Sequence, residues 1–261
     1  MAVVIAAPAS GSGKTLISLA LLSWARARGE SVQPFKVGPD YLDPQLLSEA
    51  AGRSCRNLDL NLCGEPWVRK AFHGYGGNGS MALIEGVMGL FDGIGSTEEG
   101  STAAIARLLR LPVVLVVDAG GQAASLGALV RGFRDHDPRL KLAGVVINRV
   151  NSDRHRALLQ DVLDRLDVPL LGCMPRTDAL QLPSRHLGLA PAHELNDLAQ
   201  RRQAWADLAE QHLDLSTLAP LMRAPAAGPS VFADIPPGRG PSLPVAVAAD
   251  AAFHFRYPET G

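Results

Sequence analysis

The sequence has no excess of basic charge: 25 Lys and Arg stand against 26 Asp and Glu, a formal net charge of -1. No basic field is therefore available to hold nucleic acid or an anionic membrane, and an acidic small substrate must be gripped by local Lys and Arg. Long apolar runs are also missing. None approaches the ~18 residues that a membrane-spanning helix needs. The apolar start Met1–Ile5 lacks a basic leader and a cleavage site, so it reads as a strand. Only three cysteines occur, Cys55, Cys63 and Cys173, too few and too scattered for a disulfide framework or a zinc site. They fit thiols in a reducing cytosol. His73, His136, His155, His193, His212 and His254 show no ligand spacing of the His-Glu-x-x-His kind. Asn78-Gly79-Ser80 matches a glycosylation acceptor but, without a secretory leader, reads as a turn. No internal repeat is visible. These absences predict a cytoplasmic protein with neither a nucleic-acid nor a membrane partner.

What is present is a chain of 261 residues, 47% hydrophobic, with a mean hydropathy of +0.08. That is enough for one large domain, or one domain with a small appendage. Short apolar runs at Val3–Ala6, Ser31–Val37, Met81–Glu85, Val113–Asp118, Leu142–Asn148 and Pro169–Cys173 read as strands. Most are continuous rather than alternating, as in a parallel sheet covered on both faces. Helix signals lie between them. Leu16, Ile17, Ala20, Leu21 and Trp24 form one stripe ending at Gly29, and Leu158, Leu159, Val162, Leu163 and Leu166 form another behind the capping pair Ser152-Asp153. Leu195, Leu198, Trp205 and Leu208 suggest a further long helix. The order predicts an α/β fold with a doubly wound, mostly parallel sheet. This domain is expected over residues 1–222. A linker is expected over 223–244, where Pro225, Pro229, Pro236, Pro237, Pro241 and Pro244 fall among glycines. Val245–Ala249 then reads as a fresh strand opening a segment 245–261 with almost nothing after it.

The sharpest motif is Pro8-Ala9-Ser10-Gly11-Ser12-Gly13-Lys14-Thr15, which follows a strand and opens a helix. Its glycines let backbone N–H groups approach phosphates, and the following helix adds a favourable dipole. Lys14 places a cation beside the β- and γ-phosphates of ATP, and the Thr15 hydroxyl can ligate Mg²⁺. Ser10, Gly11, Ser12, Gly13, Lys14 and Thr15 are the candidate nucleotide-binding residues. Pro8 stands where the usual pattern has its first glycine, and Ala9 where partition-type switch ATPases carry an extra lysine. An enzyme that spends ATP on activating a substrate fits better than a switch, whose membrane or DNA surface would need a charge run.

Two further stretches follow strands in the same way. Phe35–Pro44 carries Lys36, Asp40, Tyr41 and Asp43, and Glu85–Gly93 carries Glu85 and Asp92 among glycines. The crevice of a parallel sheet lies at the carboxyl ends of its strands. Carboxylates on neighbouring strand ends beside a phosphate loop therefore predict a Mg²⁺ and substrate site. Asp118 closes a strand too, as a further candidate or as a simple helix cap.

Ser10–Thr15, Phe35–Pro44, Asn57-Leu58-Asp59, Glu85–Gly93 and Pro183–Leu189 resemble cobyrinic acid a,c-diamide synthase. The resemblance covers roughly residues 1–222 and continues into Val245–Pro258. It implies an ATP-dependent carbon–nitrogen ligase of cobalamin synthesis. ATP phosphorylates two acetate carboxylates of a corrinoid, and ammonia displaces phosphate from each acyl phosphate. By motif match, Thr15 and Glu85 look like Mg²⁺ ligands with Asp40 close by, and Asp40, Tyr41, Asp43 and Asp92 resemble substrate-activation residues. Lys14 and Lys36 would stabilise the transferred phosphoryl group. Asn148 resembles the adenine-reading position or is a strand-end turn residue. Arg185-His186 either contacts corrin carboxylates or is structural. The same fold includes dethiobiotin synthetase, cobyric acid synthase and nickel-sirohydrochlorin a,c-diamide synthase. Phe35–Pro44 favours the diamide synthases, without choosing among cobyrinate, hydrogenobyrinate and nickel-sirohydrochlorin.

Members of that family take ammonia from glutamine through a C-terminal amidotransferase domain with a cysteine nucleophile. Ala246–Ala248 and Phe253–Pro258 resemble that domain's opening. Cys55, Cys63 and Cys173 all precede the linker, and the setting of Cys173 before Met174-Pro175 does not suit a nucleophile elbow. The expectation is that ammonia comes from solution or from a separate glutaminase, with a homodimer left open.

Overall fold

The computed structural model describes residues 2–150, 152–176, 184–185, 188–189, 191–234 and 244–260. In chain order the elements are β1 (Val3–Ala6), α1 (Lys14–Ala27), β2 (Val32–Val37), α2 (Asp43–Ala51), β3 (Arg56–Leu58), α3 (Leu60–Gly76), β4 (Met81–Glu85), α4 (Thr102–Leu109) and β5 (Pro112–Asp118). They continue with α5 (Ser125–Asp135), β6 (Lys141–Val150), α6 (Asp153–Asp164), β7 (Leu170–Pro175), β8 (Ser184–Arg185), β9 (Gly188–Leu189), α7 (Leu198–His212) and α8 (Leu215–Leu221). The first seven strands form one sheet in the order β3-β2-β4-β1-β5-β6-β7, with every pairing parallel. β8 and β9 pair antiparallel.

Side chains alternate along a strand, and both faces of this sheet are covered. From β1 and the residue before it, Ala2, Val4 and Ala6 join Phe72, Ile105, Val130, Leu159 and Leu163 of α3 to α6 in one core. Val3, Ile5 and Ala7 join Ile17, Leu21, Leu46, Trp205 and Leu218 of α1, α2, α7 and α8 in the other. That is why the strands read as continuous apolar runs. The predicted doubly wound architecture is present, and the caps follow the sequence: Ser152 Oγ accepts from His155 N at 3.2 Å to start α6. Of the α6 stripe, Leu159 and Leu163 are buried while Leu158 faces solvent.

The strand β3 escaped the sequence pattern because three residues at a sheet edge carry no readable period. The proline-rich stretch also behaves differently from a free spacer as far as it is described. Gly228 N donates to His73 O at 3.1 Å, Lys70 pairs with Asp234 at 2.6 Å, and Val231 is buried against α3. Residues 224–234 thus lie along the main body. The strand expected at Val245–Ala249 does not form. These residues carry no regular secondary structure and are exposed, because no described strand lies alongside to receive their backbone N–H groups. No helix among the described residues is long and apolar enough to cross a membrane.

If residues 224–234 belong to the folded body, Val231→Ala removes two buried carbons and should cost about 1–3 kcal/mol. Urea unfolding checks this; an unchanged midpoint would mark the stretch as a detached spacer.

Candidate active site

The turn after β1 is built around Gly13, whose φ of 107° is left-handed. A side chain there would be strained by the backbone and would collide with the Asn148 amide. Gly13 is the N-cap of α1 and offers no side-chain acceptor, so the first N–H groups of the helix are left for a ligand. Ser12 Oγ closes the turn on Ala9 O at 3.0 Å, while Ser10 and Gly11 face solvent. Asn148, at the end of β6, donates from Nδ2 to Ser12 O at 3.0 Å. Asn148, expected either at an adenine-reading position or as a strand-end turn residue, thus braces the turn at 8–15 from behind.

Lys14 Nζ donates to Met88 O at 2.5 Å and to Ala9 O at 3.4 Å. Burial, followed by the nearby Lys36 charge, lowers its pKa below that of an ordinary lysine. The ammonium is thus desolvated and hydrogen-bonded to two carbonyls.

The second half of the site follows from strand register. β2 and β4 are neighbours, with Lys36 paired to Glu85, and Ile5 of β1 pairs with Glu85 from the other side. Lys36 Nζ reaches Asp43 Oδ2 at 2.7 Å, Glu85 Oε1 at 2.9 Å and Gly86 O at 3.1 Å, with Asp40 Oδ2 at 3.6 Å. Burial alone would lower the Lys36 pKa, but Glu85, Asp43 and Asp40 outweigh it and raise it. Conversely, burial opposes ionisation of Asp43, but Lys36 overcomes it and lowers the pKa. Burial raises that of Glu85 against the pull of Lys36, and burial together with Asp43 raises that of Asp40.

Thr15 Oγ1 donates to Glu85 Oε1 at 3.1 Å. The other carboxylate oxygen, Glu85 Oε2, is buried with no hydrogen-bond partner, an orphaned acceptor beside a hydroxyl and the phosphate turn. A hydroxyl and one carboxylate, with phosphate oxygens from the nucleotide, form a donor set that suits Mg²⁺, which prefers few protein ligands. Asp40, expected close by, sits on the Lys36 side of the cluster. Its Oδ1 accepts from Leu42 N at 2.9 Å and Asp43 N at 3.2 Å. Asp92 Oδ2 accepts from Gly89 N at 2.8 Å and shapes the turn after β4. Among the described residues no three His, Cys, Asp or Glu side chains cluster to hold a metal by themselves. Asp118 Oδ1 accepts from Gly120 N at 3.0 Å, and its other oxygen pairs with Arg149. Asp118 is in register with Asn148 across β5 and β6, away from Lys36. His186 lies outside the described residues.

Three supporting groups had no assigned role in the sequence reading. Asn57 Nδ2 donates to Gly38 O at 2.8 Å and Asp40 O at 2.9 Å, tying the turn after β2 to β3. Its only signal was the Asn57-Leu58-Asp59 stretch. Thr102 Oγ1 accepts from Val87 N at 2.9 Å and donates to Val87 O at 3.1 Å. Met88, whose carbonyl holds Lys14, takes a φ of 47°, a strained choice for a residue with a side chain. Neither of the last two had a pattern to betray it.

With this geometry in view, the family model described as the CobQ/CobB/MinD/ParA nucleotide binding domain matches residues 3–189. The chain belongs to that family. It is similar to cobyrinate a,c-diamide synthase of Gloeobacter violaceus, 47% identical over 262 residues that cover 98% of this chain and 57% of that protein. It is also similar to hydrogenobyrinate a,c-diamide synthase of Mycobacterium tuberculosis, 45% identical over 267 residues, 99% of this chain and 58% of that protein. The chain therefore spans a little over half the length of these curated relatives. Among solved structures, FtsY of Physcomitrella patens chloroplasts aligns with a TM-score of 0.48 at 15% identity, over 78% of this chain and 64% of that one. The matched residues 3–189 are thus a nucleotide-binding domain by family, and they include the turn at 8–15.

Lys36→Met should destabilise the fold by about 3–5 kcal/mol at neutral pH, because it leaves buried carboxylates without their cation. In the variant, Glu85 and Asp43 would keep their protons to a higher pH when folded than when unfolded. The deficit should therefore shrink as pH falls and grow as it rises. Denaturation midpoints of both proteins between pH 5 and 8 check this; a pH-independent difference would contradict it.

Proposed function

We propose that this domain is the synthetase unit of a cobyrinate-type a,c-diamide synthase, catalysing ATP-dependent amidation of acetate carboxylates on a corrinoid. The observation that carries it is the juncture of two sites. Lys14 on the phosphate turn and Lys36 among Asp40, Asp43 and Glu85 meet across Thr15 and Glu85, so a γ-phosphate and a substrate carboxylate have adjoining places. The relatives' names support a corrinoid substrate class, and because they include both cobyrinate and hydrogenobyrinate the choice between the two stays open.

In this reading ATP is held by the backbone N–H groups of residues 11–15, and Lys14 exchanges the Met88 and Ala9 carbonyls for phosphate oxygens. Attack by a substrate carboxylate oxygen on the γ-phosphorus breaks the bond to ADP and forms an acyl phosphate. Lys14 and Lys36 offset charge on the transferred group. Ammonia then adds at the acyl carbon, phosphate leaves, and a proton is lost to give the amide. Asp43 and Asp92 are the acidic groups beside the incoming carboxylate and ammonia, with Tyr41 at the mouth. Two ammonium groups face four carboxylates here (Asp40, Asp43, Glu85, Asp92), an excess of negative charge that a divalent cation offsets. Thr15 and Glu85 would hold Mg²⁺, which when bound supplies Lewis-acid polarisation of the phosphates.

The nitrogen nucleophile proposed for this domain is ammonia, released by a group other than Cys55, Cys63 or Cys173. Burial raises the thiol pKa of Cys55, Cys63 and Cys173 alike, which opposes the thiolate that glutamine attack requires.

The deciding experiment incubates purified protein with cobyrinic acid, ATP, Mg²⁺ and ammonium and reads the macrocycle by mass. Loss of oxygen as amide at one and then two positions is expected, while ATP hydrolysis unaffected by macrocycle would overturn the proposal. Lys14→Ala should abolish ATP binding by calorimetry. Asp43→Asn and Asp92→Asn should slow amidation by roughly 10²-fold with nucleotide affinity kept. Normal turnover in both Asn variants would remove those residues from the chemistry.

A further inference from the structure

Residues 253–260 return to the mouth of the site. The Tyr41 ring lies parallel to Phe255, with centroids 5.6 Å apart and planes 2° off, and tilted against Tyr257 at 4.7 Å. Gln45 Nε2 sits 2.9 Å from His254 Nδ1 and donates to His254 O at 3.3 Å. Arg56 pairs with Glu259 at 3.0 Å, both only about one-fifth exposed, and the same guanidinium stacks on Tyr75 at 4.3 Å. A segment about two hundred residues away in sequence thus grips both sides of the short turn carrying Asp40 and Asp43.

We propose that this segment is a positioning strap for the carboxylate-activating turn, with Phe255 and Tyr257 pinning Tyr41 and so holding Asp40 and Asp43 against Lys36. Apart from the Lys36 pairs with Asp43 and Asp40, the ties of the turn are short-range or run through Asn57. Asp40 Oδ1 bonds its own neighbours Leu42 N and Asp43 N, and Asn57 holds only the Gly38 and Asp40 carbonyls. Tyr41 and Leu42, the outermost residues, are half-buried. Two aromatic rings flanking Tyr41 limit its rotamers and, through the backbone, the freedom of Asp40 and Asp43. Aromatic contacts of this geometry add to plain area burial, and the partly shielded Arg56–Glu259 pair anchors the end of the strap. The strap does not touch the phosphate turn in any contact described above, so it should tune the acidic half of the site and leave nucleotide binding alone.

The test compares three variants of the whole chain: Phe255→Ala with Tyr257→Ala, the conservative pair Phe255→Tyr with Tyr257→Phe, and Glu259→Gln. Hydrogen exchange on nucleotide-free protein is the first readout. The double alanine variant should exchange amides 40–46 about tenfold faster with α1 unchanged, the conservative pair should match the wild type, and Glu259→Gln should fall between. The second readout rests on the proposed function: kcat/KM for cobyrinic acid should drop about tenfold in the alanine variant and recover in the conservative pair, with the ATP Kd unchanged in both. Unchanged exchange at 40–46 in the alanine variant, or a rise shared equally by α1, overturns the strap. Because exchange is read without turnover, faster exchange at 40–46 with no macrocycle activity in any protein would support the strap and refute the substrate assignment.

Discussion

A lysine ammonium buried among carboxylates organises this molecule. Lys36 is 2% exposed, and such a charge is tolerated only because Glu85, Asp43, Asp40 and the Gly86 carbonyl surround it. Desolvation of either sign alone costs several kcal/mol, so each partner depends on the others being present. The arrangement links three elements that sequence keeps apart: the end of β2, the start of α2 and the end of β4. It also leaves one Glu85 oxygen unpaired next to Thr15, so the acidic half of the site joins the phosphate half without a gap.

The phosphate turn depends on the same strand neighbours. Leu90 N donates to Ala7 O at 2.8 Å and Gly86 N to Ile5 O at 2.9 Å, which laces the loop after β4 onto the end of β1. A side chain on Gly89 would come within 2.6 Å of Pro8 O. Pro8, the departure from the usual motif, thus presents its carbonyl to a backbone that has been cleared to meet it. Lys14 resting on Met88 O completes the join.

These contacts give the site its division of labour. β1 and α1 contribute the glycine turn proposed to cradle phosphate, β6 braces it through Asn148, and β2 with β4 contribute the charge cluster. The Phe253–Thr260 segment lies against residues 41–45 at the outer edge of that cluster.

Much of this was written in local pattern. The phosphate turn needs glycine, lysine and threonine at fixed spacing between a strand and a helix, and the covered parallel sheet needs unbroken apolar strands; both are properties of neighbouring residues. The acidic residues at strand ends were readable as candidates for the same reason. Only the tertiary structure decided how they are used. Strand order set Lys36 opposite Glu85, put Asn148 behind the glycine turn, and kept Asp118 with Arg149 apart from the acidic cluster. The edge strand β3, the packing of 224–234 on α3, and the return of Phe255 and Tyr257 to Tyr41 carry no local period. Each comes from contacts between distant parts of the chain, and no short-range pattern in a sequence can encode which distant surface a segment will meet.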